Sequence, residues 1–372
     1  MVNQELQVRI VAKGGGGRTG TSRYTQELVN GLSALGVDLC VVTPTAPQTL
    51  TRLGRRAGVD LGAFLDSYPM RLPSSDRRLV HIPSQTMATA LLLLRKRQPI
   101  VVTVLDIIPY LVRRNASLRV SRHAIDSTFY RLALLALRRA DSIIAISDYT
   151  KTTLVEELAL PAERIHVTHL GVDSLQFSPG PVDSNVLSRY ALRDDACYVI
   201  FVGSEDPRKN LATLFRAFAQ AVKQRPELEL IKVGAELHSS ERQRLRQLAG
   251  ELNIESQVHF LDNVPDADLL HLYRASKVLV LPSWYEGFGL PVLEAMACGI
   301  PAVISDRTSL PEVGGSLALA IDPASADELA CAILNTIEHP PAADDLREHA
   351  LRFSWKTTVQ QTLAVYQKAW AS

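Results

Sequence analysis

Short apolar runs alternate with longer amphipathic stretches along this chain. Leu6–Ala12, Val37–Thr43, Leu79–Ile82, Ile100–Val104, Ser142–Ile146 and Ile165–Thr168 read as strands of the first half. Tyr198–Val202, Leu230–Val233, Val258–Phe260, Val278–Leu281 and Leu317–Ile321 read as strands of the second. Such apolar strands are those of a sheet covered on both faces. Helical spacing between them predicts a helix after Thr21–Ser22 through Leu35 and others over Thr86–Arg97, Ser117–Arg139 and Asp148–Leu158. Further helices are predicted over Ser240–Leu252, Asp266–Ala275, Ala326–Ile337, Leu346–Arg352 and Ser354–Trp370. Strand–helix alternation implies α/β architecture with parallel, doubly wound sheets, in which ligands sit beyond the carboxyl ends of the strands. Phe177–Pro181 has a linker's composition. Two domains follow, residues 1–176 and 177–354.

The stretch Pro282–Pro301 breaks the alternation. Pro282, Gly287 and Gly289 make a loop, and Pro291 suits the first turn of a helix that runs to Cys298–Gly299. That helix is apolar on nearly every side, yet Glu294 sits in its middle, and a buried carboxylate needs a partner. Glu286 lies in the loop before it. Between the two acids, the N–H groups of Gly289 and Leu290 offer an anion site. Two carboxylates flanking a phosphate-binding helix start suit a ligand with both phosphates and hydroxyls, such as a nucleotide sugar. A loop surface Glu and a satisfied core Glu are the plainer reading of two such residues in isolation.

Other loops at predicted strand ends add chemistry. Gly203-Ser204-Glu205-Asp206-Pro207-Arg208-Lys209-Asn210 places two cations where phosphates would lie, able to stabilise a departing diphosphate. Gly14–Gly17 and Gly20 open onto a helix, and Gly15, Gly17 and Gly20 satisfy a dinucleotide fingerprint. The acid that this fingerprint requires at the end of the next strand is absent, which argues against NAD but leaves a diphosphate contact. Asp106 follows Ile100–Val104, as a turn former before Pro109 or as a catalytic acid. Asp266-Ala267-Asp268 has the spacing of a metal-binding pair, but its place at a helix start reads as a cap.

At 372 residues the chain exceeds one typical core. Its 47% hydrophobic and 21% charged residues are ordinary for a soluble globular protein. The four cysteines lack metal or redox spacing. No charged-then-apolar leader and no spanning apolar run is legible, so the expected location is cytoplasmic. The net charge of +1 hides an asymmetry: residues 1–176 hold 22 Lys/Arg against 14 Asp/Glu, and the remainder 18 against 25. Basic runs at Arg52–Arg56, Arg77–Arg78, Arg95–Arg97, Arg113–Arg122 and Arg131–Arg139 are solvated faces or a surface for an anionic membrane or lipid-diphosphate acceptor. Nucleic acid is not expected, because no helix-turn-helix, zinc or stacking signal accompanies the charge.

The run Glu286-Gly287-Phe288-Gly289-Leu290-Pro291 with Glu294 resembles the Glu-(seven residues)-Glu signature of retaining GT-B glycosyltransferases of family 4. Asp206-Pro207-Arg208-Lys209-Asn210 resembles that family's Glu-Pro-Arg-Lys-Asn, and Gly20 to Tyr24 its glycine-rich opening. The resemblance implies two Rossmann-like domains facing a central cleft, with the segment from 355 to 372 crossing back onto the first. It implies Glu286 on the donor sugar, Glu294 on the ribose, Arg208 and Lys209 on the diphosphate, and Val264 at the base. Gly20, Thr21, Gly203, Ser204, Gly287, Phe288, Gly289 and Leu290 would line the donor, with Asp106 beside the sugar. Leu105 stands where the family usually has His, which implies either a donor sugar lacking the hydroxyl that His would contact or a weak or inactive member. The implied activity is sugar transfer with retention, from GDP-mannose or a UDP-sugar to a glycan or lipid-linked acceptor, without a metal. A nucleotide-sugar epimerase and a non-catalytic partner of an active transferase are the alternatives.

Overall fold

The computed structural model describes residues 6–13, 20–44, 61–69, 77–94, 98–115, 117–118, 124–236 and 239–371. The chain divides into two units. The first comprises Met1–Tyr110, Ser121–Leu170 and Trp355–Ser372; the second comprises Leu111–Val120 and Gly171–Ser354.

The first unit's sheet has strands β1 (Gln7–Val11), β2 (Asp38–Val42), β3 (Leu79–Ile82), β4 (Ile100–Val104), β5 (Ser142–Ala145) and β6 (Ile165–Val167), in the order β2-β1-β3-β4-β5-β6. The second has β7 (Cys197–Val202), β8 (Leu228–Val233), β9 (Val258–Leu261), β10 (Ser276–Leu281), β11 (Ala302–Ser305) and β12 (Leu319–Ile321), in the order β12-β11-β10-β7-β8-β9. Every strand pair is parallel. The apolar runs are what the pattern requires: β3, β4, β5 and β11 are buried at every position.

From β7 the second unit builds outward to β8 and β9, then returns to add β10, β11 and β12 on the other side. The order therefore reverses between β7 and β10, where parallel sheets open a crevice for a ligand. The loops after β7 and β10 carry Arg208–Lys209 and Glu286.

Several expected elements differ. Thr86–Arg97 is not a long helix but a 3-10 turn over Gln85–Leu91, closed by Met87 N–H to Ser84 O and Leu92 N–H to Thr89 O. Met87 to Leu91 are all buried, so the apolar run reports enclosure on every side, not one face of a helix. The Ser117–Arg139 prediction resolves into a helix at Ala124–Ala136 and a 3-10 turn at Leu137–Arg139. Ser117 instead bonds through its N–H and hydroxyl to the Asn115 side chain, a local alternative to helix. Strand β11 and the helices Ser184–Arg189, Leu211–Gln224 and Leu310–Gly314 were not among the expected elements.

The helix Trp355–Ala371 belongs to the first unit. It is tied there by a buried neutral chain: Tyr366 OH lies 2.6 Å from His81 Nδ1, His81 Nε2 2.8 Å from Thr103 Oγ1, and Tyr24 OH 2.9 Å from Thr103 Oγ1. Burial pushes the His81 imidazole down to about 3, so it is neutral at physiological pH.

Candidate functional site

Strand β7 ends at Val202, and the chain leaves it through Gly203, whose N–H bonds to Val233 O at 2.8 Å. Gly234 faces it with φ +135°, and a Cβ there would stand 2.3 Å from Gly203 O, so only glycine fits. The loop then tightens into a 3-10 turn, Pro207–Lys209, with the Asp206 side chain accepting from Arg208 N–H. Asn210 closes it in the left-handed region at φ 62° and donates its amide to Pro282 O and Pro323 O at 3.0 and 2.7 Å. Trp284 N–H donates to Arg208 O at 2.8 Å. The loops after β7 and β10 are thereby stitched together.

Three side chains converge in that seam. Lys209 Nζ lies 2.5 Å from Glu286 Oε1, and Arg208 Nη1 lies 3.5 Å from Glu286 Oε2. Arg208 also donates to Tyr285 O at 2.8 Å and meets Asp206 at 3.3 Å. Ser283 Oγ donates to Glu286 Oε1 at 2.9 Å. Glu286 is 6% exposed, while the side chains of Lys209 and Arg208 are 13% and 21% exposed. Burial pushes the Glu286 carboxyl up, but the Lys209 and Arg208 charges and two hydrogen bonds more than offset it, leaving a pKa below the ordinary carboxylate range. Burial lowers the Lys209 ammonium despite the opposing pull of Glu286.

Beyond Glu286 the loop enters the helix Leu290–Ala297 with Pro291 in its first turn. Gly289 holds φ +116°, and a Cβ there would stand 2.7 Å from Leu310 Cδ2. Among the described residues, no group accepts from the N–H of Gly289 or Leu290. Glu294 is buried in this helix as expected, and Tyr273 OH donates to its Oε2 at 2.9 Å. Thr308 Oγ1 accepts from Glu286 N–H at 3.2 Å, and the Ser309 hydroxyl lies 3.1 Å from Glu286 O and 2.9 Å from Phe288 O.

A second ionic cluster begins one residue after Ser204. Lys232 Nζ lies 2.6 Å from Glu205 Oε1, Arg242 Nε donates to the same oxygen at 2.5 Å, and Arg242 Nη2 lies 2.8 Å from Asp262 Oδ1. The side chains of Lys232 and Glu205 are both 0% exposed. Val264 follows Asp262 at the end of β9, two strands along the sheet from β7. Asp266 makes no capping side-chain bond; Pro265 precedes the helix, and Asp268 is the engaged acid, accepting from Arg189 and Tyr190 at 2.6 and 2.7 Å.

The structure thus brings Gly203, Ser204, Arg208, Lys209, Glu286, Gly287, Phe288, Gly289, Leu290 and Glu294 to the loops and helix start around one switch point. Gly20, Thr21 and Asp106 lie in the first unit. Asp106 Oδ1 accepts from Ile108 N–H at 3.0 Å, the turn geometry that its sequence suggests, and Leu105 N–H donates to Gln85 Oε1. The glycines Gly14–Gly17 and the runs Arg52–Arg56 and Arg95–Arg97 lie outside the described residues. Ser283, Tyr273, Thr308 and Ser309 escaped the sequence reading; only the hydroxyl-rich run Ser305–Ser309 carried a signal that could have found the last two.

Residues 186–353 match the family model of the glycosyl transferases group 1, and residues 18–174 match that of glycosyltransferase family 4. The chain is 34% identical over 241 residues to the O-antigen chain mannosyltransferase B of Escherichia coli, covering 62% of each. It is 31% identical over 251 residues to the MMP alpha-(1->4)-mannosyltransferase of Mycolicibacterium hassiacum, covering 65% of this chain and 57% of that one. The matched stretch therefore spans about three fifths of these relatives' length. Sucrose-phosphate synthase from Thermosynechococcus elongatus superposes with a TM-score of 0.75 over 98% of this chain and 99% of that one, at 22% identity. HepE from Anabaena, in complex with UDP and glucose, gives 0.70 at 21% identity over 96% and 98%. These two structures share the fold, which is GT-B.

Proposed function

Because the chain belongs to the group 1, family 4 glycosyltransferases, we propose that it moves a sugar from a nucleoside-diphosphate donor to a hydroxyl of a glycan or lipid-linked acceptor. The observation that carries this reading is the convergence of Lys209 and Arg208 on Glu286 beside the unpaired N–H groups of Gly289 and Leu290. Two cations and a helix start at a sheet's switch point suit a diphosphate.

In this reading the diphosphate takes over Lys209 and Arg208, and Glu286, released from them, turns its carboxylate to the donor sugar. Glu294, held by Tyr273, accepts from the ribose hydroxyls, and Gly203, Ser204 and Val264 flank the nucleotide. The anomeric carbon–oxygen bond to phosphate breaks as the acceptor oxygen bonds to the same face, and the departing phosphate oxygen takes the acceptor's proton. Configuration is retained. Cationic side chains and peptide N–H groups meet the charge on the leaving diphosphate, so no metal is required.

GDP-mannose is the first donor to test, since two relatives are named mannosyltransferases; a UDP-sugar is the second, since HepE holds UDP. The O-antigen relative supports surface-polysaccharide synthesis. Peripheral contact with an anionic membrane through the first unit is supported by exposed Ile125 and Leu135 on the helix that carries Arg131, and binding to acidic vesicles tests it. No described helix is long and apolar enough to cross a membrane.

The deciding experiment is release of nucleoside diphosphate from a donor panel by the wild type, Lys209→Ala and Glu294→Ala. Both variants should lose donor use, and near-normal transfer by both would remove the assignment.

A further inference from the structure

The segment after β11 holds a residue in an unfavourable conformation. Thr308 has φ 62°, in the left-handed region, where a β-branched side chain crowds its own backbone. Such outliers persist only where the surroundings over-determine them. Here the surroundings are specific. Arg307 N–H donates to Ser305 Oγ at the end of β11, Ser309 and Leu310 are 0% exposed, and Val313 N–H donates to Ser309 O.

What this corner touches is the Glu286 loop. Thr308 Oγ1 accepts the Glu286 N–H, and the Ser309 hydroxyl lies within bonding distance of both Glu286 O and Phe288 O. Two consecutive hydroxyls thus meet three main-chain groups of a turn that contains Gly287 and Gly289. Glycines leave that turn little conformational preference of its own. Its shape is imposed from outside, by Lys209, Arg208 and Ser283 on the carboxylate and by Thr308 and Ser309 on the backbone.

We propose that Thr308 and Ser309 are positioning residues that hold the Glu286 backbone, and through it the carboxylate, at the angle used toward the donor sugar. The inference rests on the donor reading above. A corner that merely braced the fold would be served equally well by glycine, which adopts this φ without strain; the hydroxyl at this position is what the Glu286 loop needs.

The test compares Thr308→Gly and Thr308→Ser with the wild type in three measurements: thermal midpoint, GDP and UDP affinity by calorimetry, and diphosphate release from GDP-mannose and UDP-glucose. Thr308→Gly relieves the strain and removes the hydroxyl. It should keep or raise the midpoint and bind diphosphate within about twofold of the wild type, because Arg208 and Lys209 are untouched. Its kcat should fall about tenfold, the scale of one lost aligning hydrogen bond. Thr308→Ser should recover most of that rate. A Thr308→Gly protein that transfers at the wild-type rate overturns the inference, as does one whose rate, midpoint and diphosphate affinity fall together. A wild type that neither binds diphosphate nor transfers sugar overturns the donor reading, and this inference with it.

Discussion

Two ionic clusters grow from the single loop after β7, and they differ in what they leave open. The Glu205 cluster is sealed: Lys232 and Glu205 are wholly buried, and Arg242 fills out the shell and reaches Asp262. The Glu286 cluster keeps its cations partly in contact with solvent, at 13% and 21% exposure, while its carboxylate is buried. In both, burial lowers the lysine and a glutamate opposes that shift. The chemistry is the same and the accessibility is not. A sealed pair can only hold structure, whereas accessible cations can exchange their carboxylate for an incoming anion.

Lys209→Ala gives the largest contrast. Removing a cation that meets leaving-group charge should lower kcat/KM by about 10³-fold, some 4 kcal/mol. The thermal midpoint should move much less, because Arg208 still faces Glu286. Steady-state kinetics beside thermal unfolding checks this; a large loss of stability with little loss of rate would erase the distinction between the clusters.

In the sealed cluster the order should invert. Glu205→Leu leaves Lys232 buried beside Arg242 without its carboxylate, and breaking such a pair costs about 3–5 kcal/mol. Replacing both, as Glu205→Leu with Lys232→Leu, removes the stranded charge and should recover most of that loss. Denaturant unfolding of the two single variants and the double variant measures it. Additive losses would show that the pair is not the unit that matters.

A third buried cluster, the neutral chain Tyr366–His81–Thr103–Tyr24 of the first unit, sharpens the comparison through pH. The folded state holds His81 near 3 against an ordinary 6.5, so below 6.5 the unfolded chain binds the proton that the folded chain refuses. Stability should fall as pH drops from 6.5, by about 3 kcal/mol at pH 4, and His81→Gln should flatten that slope. Glu286 adds its own loss lower down: its depressed pKa stabilises the fold above 4.5, and that contribution disappears as pH falls further. A wild-type curve flat between pH 6.5 and 5 would contradict the buried neutral imidazole.

The partly accessible cluster was legible in the sequence and the sealed one was not, for a physical reason. Glu286, Glu294, Arg208 and Lys209 are anomalies against local pattern: acids beside glycines or inside an apolar helix, and cations at a strand end. Lys232 is an anomaly too, inside Leu228–Val233, but a single polar residue in a strand usually marks a solvent-facing position. Its partner Glu205 lies 27 residues earlier, and only the parallel pairing of β7 with β8 brings them together. Tyr273 is hidden likewise, since its hydroxyl reaches Glu294 from a neighbouring helix. Apolar enclosure misled the prediction at Thr86–Arg97, because burial on all sides erases the periodicity that separates a helix from a 3-10 turn.

Tyr273→Phe should have the smallest effect and probes Glu294, the second acid of the candidate site, which neither ionic cluster holds. Glu294 is 5% exposed and takes the phenol's hydrogen bond inside the second unit. Removing the hydroxyl leaves the carboxylate in place with one donor fewer, which costs about 1 kcal/mol of stability or slightly more. If the ribose completes the hydrogen bonding of Glu294, the loss should reappear as weaker diphosphate binding, about fivefold for GDP or UDP, with kcat nearly unchanged. Glu294→Gln separates the two contributions, since its amide still accepts from Tyr273 but meets ribose hydroxyls without the strength of a charged acceptor. Weaker nucleotide affinity in Glu294→Gln at an unchanged thermal midpoint assigns the acid to the ligand. An unchanged affinity in both variants assigns it to the core, like Glu205, and leaves Glu286 as the one carboxylate of the pair that meets the ligand.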